Sequence, residues 1–194
     1  MRSLITIILA CMTVCGASAQ GGALLHSCES LDGVSLGMGR QLDESKLFVS
    51  HAAEHVTEGA GAVGAVSFSP EDATGNTYIS LHLPIEPTDF TERALLFDAT
   101  SSTPERSRAL YVRGYDSRGS MVLSWMTWAG ALDAEARSFR LTPGDDADGL
   151  SWEPGRIEAE DRSEVIRLEF ITGTGERGVH FNLVVDNVRA VTAQ

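Results

Sequence analysis

Hydrophobic and polar residues alternate along much of this chain with a period of two. In 165–170, Arg167 and Glu169 fall on one side while Ile166, Leu168 and Phe170 fall on the other. The stretch 179–185 repeats the pattern, with Val179, Phe181, Leu183 and Val185 separated by residues that include His180 and Asn182. Such a period marks a strand with one buried face. Further runs of strand character occur at 24–28, 47–50, 63–68, 78–83, 94–98, 109–115, 121–128 and 138–141. Between them lie turn-forming clusters: Ser69-Pro70-Glu71-Asp72, Leu83-Pro84, Glu86-Pro87, Asp116-Ser117-Arg118-Gly119 and Gly173-Thr174-Gly175-Glu176. Helical patterns are scarce. Residues 131–137 have room for one or two turns and 161–164 for a short cap, and 144–164, rich in Asp, Glu and Gly, reads as a long loop over one sheet. Many short strands punctuated by turns predict an all-β fold, a two-sheet antiparallel β-sandwich. No linker interrupts 20–194, which reads as a single domain.

The first segment stands apart from this pattern. Met1-Arg2-Ser3 is a short positive start, 4–15 is an apolar run, and Ala17-Ser18-Ala19 places small residues where a signal peptidase cuts. Residues 1–19 are therefore predicted to be a signal peptide, and the mature protein to be secreted or periplasmic. An uncleaved anchor, or a lipoprotein cut before Cys11, is the alternative, but the apolar run is short for either. After cleavage no stable membrane insertion is expected.

Charge and cysteine content narrow the chemistry. The 194 residues carry 15 Lys and Arg against 27 Asp and Glu, a net charge of −12. That acidity argues against a nucleic-acid partner, whose phosphates would be repelled. A hydrophobic fraction of 43% is too high for a disordered chain. Cys11 and Cys15 leave with the signal, so Cys28 has no intramolecular partner and reads as a small buried apolar residue. Catalytic signatures are missing. His51 and His55 are four apart without the order a zinc protease needs, and no nucleophile elbow or phosphate-binding loop is present. The acidic run at 144–149 lacks the twelfth-position glutamate of a calcium-binding hand. The chain is not expected to be an enzyme.

Three pieces occur in order: Cys28-Glu29-Ser30 after an early apolar strand, Val56-Thr57-Glu58-Gly59 before a small-residue stretch, and Val185-Asp186-Asn187-Val188 near the end. Together they resemble the galactose-binding-like jelly roll shared by many non-catalytic carbohydrate-binding modules. The resemblance runs from Glu29 to Arg189. It implies a jelly-roll sandwich and a polysaccharide or glycan partner. It also implies a structural calcium ion (Ca2+), with Glu29 and Asp186 supplying carboxylate oxygens and Glu58 or Gly59 a backbone oxygen. Such a donor set suits calcium, which takes six to eight oxygens from distant loops. Alternatively, Asp186 accepts backbone N–H bonds at a strand end and Glu29 is solvated.

Sugar sites in such modules stack aromatic faces on the ring and place planar polar groups nearby. Tyr111, Arg113 and Tyr115 alternate onto one face of a single strand. Trp125 and Trp128, three apart, point to opposite faces of the next strand, so one belongs to the core and the other faces outward. Tyr111, Arg113, Tyr115 and Trp128 are the candidate ligand-binding set. The competing assignment packs these aromatics between the sheets, where strands favour them. Trp152 either clamps the acidic loop or contacts a ligand. The leading expectation is an exported, calcium-stabilised glycan-binding module. A structural or protein-interaction sandwich of the cell envelope is the alternative.

Overall fold

A computed structural model of the chain describes residues 22–37, 45–107, 109–127, 132–142, 150–152 and 162–193. The predicted signal peptide, Trp128 and the acidic run 144–149 lie outside the described residues, as does the side chain of Trp152. The strands are β1 Ala23–His26, β2 Ser35–Leu36, β3 Lys46–Ser50, β4 Ala62–Ser69, β5 Thr77–Thr88 and β6 Arg93–Thr100. They continue as β7 Leu110–Tyr115, β8 Met121–Thr127, β9 Arg137–Leu141, β10 Leu150–Trp152, β11 Val165–Thr174 and β12 Val179–Thr192. Pairing is antiparallel throughout. The first sheet runs β3-β4-β12-β6-β9, with β1 beside the C-terminal half of β12. The second runs β10-β8-β7-β11-β5-β2. The two form the sandwich that the alternating pattern predicts, with a jelly-roll order of strands.

The core lies between the sheets. Phe97 of β6 stacks on Phe139 of β9 at 5.1 Å between ring centroids and meets Phe170 of β11 edge-on at 5.0 Å, which joins one sheet to the other. Trp125, Phe90 and Phe181 are also fully buried. Each such side chain stabilises the fold by about 1.5–3 kcal/mol relative to exposure. Trp125 is thus the core member of the tryptophan pair. Cys28 belongs to the same core, where burial pushes its thiol pKa up and leaves it inert.

Four details differ from the sequence reading. The stretches 83–84 and 86–87 are not turns, because β5 runs straight through Pro84 and Pro87. β2 pairs with β5 only at Leu81 and His82, so beyond His82 this edge of β5 has no strand partner among the described residues. An edge tolerates the missing proline N–H. Second, 132–136 form no helix and lead into β9. There Ala136 N–H donates to the carbonyl of Glu54 at 3.0 Å, an extended tether in place of a helical turn. Third, the stretch read as one long loop contains β10, held against β8. Fourth, a bulge between Val165 and Arg167 puts Val165 in the core in place of Ile166.

Candidate functional site

The register of the second sheet brings three rows of chemistry together on its outer face. One row runs Ser35, His82, Glu169, Arg113 and Ser124 across β2, β5, β11, β7 and β8. The next holds Pro84, Arg167, Tyr115 and Met121, and on the far side of the first lie Ser80, Ile171, Tyr111 and Met126. The face exists because Leu110 and Val112 point into the core and leave Tyr111, Arg113 and Tyr115 half-buried outside. Three of the four predicted ligand residues therefore share one face.

Glu169 organises this face. It is 8% exposed and accepts from three side chains. His82 Nε2 lies 2.9 Å from Oε1, Ser80 Oγ also donates to Oε1, and the Tyr115 hydroxyl donates to Oε2 at 2.6 Å. Burial opposes its ionisation, but the hydrogen bonds from His82, Ser80 and Tyr115 outweigh it and hold the carboxyl pKa at about 2. The same contact, added to burial, raises the Tyr115 phenol pKa above its usual value. Arg113 approaches Glu169 at 4.0 Å and lies 5.9 Å from the Tyr111 ring centre, while Arg167 sits 4.4 Å over the Tyr115 ring. The result is an aromatic and polar platform with fixed donors. Gly37 closes its β2 side, since a Cβ there would strike Ser80 and His82. Tyr78 extends it along β5 beyond Ser80, its ring lying against Gly173.

His82, Ser80, Glu169, Arg167 and Tyr78 were not among the candidates. Their alternation with Ile79, Leu81, Leu83 and Leu168 carried the facing information. What was missing was the pairing of β5 with β11.

The residues named for calcium also come together, at the outer face of the first sheet. The loop after β3 crosses β12, where Asp186 and Asp98 are register partners, 1% and 3% exposed. Asp186 Oδ2 accepts from Thr57 N at 2.7 Å, Glu58 N at 3.0 Å and Thr57 Oγ1 at 3.0 Å, while Oδ1 accepts from Asn187 N at 2.7 Å. Glu29 Oε1 accepts from Ala60 N at 3.1 Å, beside Gly59 at a φ of +74°, where a Cβ would collide with that carboxylate. The Glu58 carboxylate binds the Arg189 guanidinium. Arg189 Nε in turn donates to Asn187 Oδ1 at 2.6 Å. Asn187, at a φ of +52°, is the bulge residue that turns this cluster outward.

In this arrangement the carboxylates do not fit a calcium ion: the oxygens of Asp186 face N–H and O–H donors, whose positive ends oppose a cation, and Glu29 Oε1 faces the N–H of Ala60. Among the described residues no group of three or more His, Cys, Asp or Glu is placed to hold a metal.

No protein-family model and no curated protein matches the chain. Solved structures do. A family 11 carbohydrate-binding module from Clostridium thermocellum, in complex with a β-1,3-1,4-mixed-linked tetrasaccharide, aligns at a TM-score of 0.57 and 13% identity over 91% of this chain and 98% of that one. The solution structure of a family 11 module aligns at 0.57 and 13% over 92% and 99%. An exo-β-agarase aligns at 0.58 and 15% over 90% of this chain but 25% of its own. The strand order, the two-sheet packing and these alignments together show that the chain has the jelly-roll β-sandwich fold of family 11 carbohydrate-binding modules.

Proposed function

We propose that this protein is an exported, non-catalytic glycan-binding domain and that the outer face of its second sheet is the binding surface. The observation that carries the reading is the fixed platform of Tyr111, Arg113 and Tyr115 around Glu169. Tyrosine faces offer apolar contact to the C–H side of a sugar ring, and the carboxylate, imidazole and guanidinium edges offer hydrogen bonds to its hydroxyls. The fold adds support, since the module solved with a mixed-linked tetrasaccharide shares it. Binding fits better than catalysis. A carboxyl that stays ionised down to about pH 2 has no proton to give near neutrality and is a poor base. Export rests on the N-terminal segment, with its positive start, apolar run and small-residue cleavage pattern.

Affinity electrophoresis against a panel of soluble polysaccharides tests this reading. At least one polysaccharide should retard the protein. Tyr115→Ala and Tyr111→Ala should each weaken that binding by about tenfold or more, equivalent to about 1.4 kcal/mol. Leu24→Ala, on the exposed edge strand of the other sheet, should bind like the parent. Unretarded migration on the whole panel, or equal loss with Leu24→Ala, would overturn it.

The junction of Asp186, Glu58, Glu29 and Arg189 is read here as self-sufficient, its positive charge supplied by Arg189. A chelator should then leave the melting temperature within about 1 °C, because no ion binds the native state preferentially. A fall of several degrees that calcium restores would contradict this.

A further inference from the structure

We infer that the glycan taken by this face is anionic, carrying carboxylate or sulfate groups that Arg113 and Arg167 bind. This inference rests on the glycan-binding reading above. Glu169 does not need either arginine, since His82, Ser80 and Tyr115 supply its hydrogen bonds. Arg113 stands at the 4.0 Å limit of an ion pair with it. Arg167 has no carboxylate within ion-pair distance among the described residues, and the Nε atoms of both arginines are buried without a hydrogen-bond partner. Three other arginines among the described residues are matched by carboxylates. Arg118 pairs with Asp116 at 2.8 Å, Arg189 with Glu58, and Arg106 with Glu105 at 3.5 Å.

In a chain with 27 acidic residues, two guanidinium groups set beside a single saturated carboxylate run against composition. They are also adjacent. Tyr115 pairs with Arg167 and Glu169 with Arg113, so the two arginines stand diagonally across neighbouring strands. Stacking of Arg167 on Tyr115 leaves the planar edge of its fork free, the edge that matches a carboxylate or sulfate with two parallel bonds. A net charge of −12 repels polyanions in general, so binding of one requires this local site.

Titration calorimetry with three probes tests the inference: polygalacturonate for carboxylate, a sulfated galactan for sulfate, and neutral mixed-linked β-glucan. One of the two anionic probes should bind about tenfold or more tightly than the glucan, and which one identifies the group. That binding should weaken about tenfold or more between about 50 mM and about 500 mM NaCl, because salt screens an exposed pair. Arg167→Ala should cost about tenfold in affinity for the anionic probe. Arg167→Gln keeps a planar polar group for folding and should cost as much. Glucan binding that equals or exceeds anionic binding and ignores Arg167→Gln would overturn the inference and leave the glycan reading standing. Failure of both anionic probes would overturn the inference, and the polysaccharide panel above then decides the glycan reading separately.

Discussion

Glu169→Ala should abolish the proposed glycan binding and lower stability by about 3 kcal/mol, the range expected when a buried charged acceptor is removed. Ser80, His82 and Tyr115 would each lose an acceptor inside a shielded face. Tyr115 would also lose the bond that fixes its ring orientation. Glu169→Gln keeps the shape but presents an NH2 where the carboxylate accepts, so it should cost about 1–2 kcal/mol. Urea unfolding measures the loss of stability and affinity electrophoresis the loss of binding. The pH dependence has a definite sign. The folded pKa of about 2 lies below that of an unfolded glutamate, so Glu169 contributes fully above about pH 4.3 and its contribution fades as pH falls toward 2. Thermal melts between about pH 5 and about pH 2 should therefore fall less steeply for Glu169→Gln than for the parent. Parallel curves would show that Glu169 is not the organising charge.

Asp186→Ala has the second large effect, about 3–4 kcal/mol. The carboxylate accepts three backbone N–H groups, from Thr57, Glu58 and Asn187, and the Thr57 hydroxyl. Alanine leaves the three N–H groups beside a buried strand without this acceptor, while the Thr57 hydroxyl keeps Asp98 Oδ2 at 2.5 Å. The loop after β3 would then lift from β12. Hydrogen exchange at Thr57, Glu58 and Ala60 should quicken strongly, while amides of β7 and β11 keep most of their protection. Equal quickening in both sheets would mean that Asp186 supports the global fold and not this junction.

The reach of the sequence can be judged from particular residues. Tyr111, Arg113 and Tyr115 were legible because a strand places every second residue on one face, and that rule needs no knowledge of neighbours. His82 and Glu169 were not legible as a pair. They lie 87 residues apart, and only the register of β5 on β11 brings them together. The ten longer strands announced themselves by apolar runs, whereas β2 and β10, two and three residues long, exist through pairing with β5 and β8. Pro84 and Pro87 were read as turns because propensity is local, while an edge strand accommodates them. Asp186, Glu58 and Glu29 were brought together by the resemblance. The contact of Glu58 with Arg189 was not legible, because it depends on the Asn187 bulge in β12.

Ligand is proposed to bind on the outer face of the second sheet. The most direct measurement is a two-dimensional amide NMR titration with a mixed-linked tetrasaccharide and with an oligogalacturonate. The ligand that binds should shift amides at Tyr111, Arg113, Tyr115, His82 and Glu169 most. Shifts concentrated instead around Phe48, Val66 and Asn182, which line a hollow on the outer face of the first sheet, would contradict it.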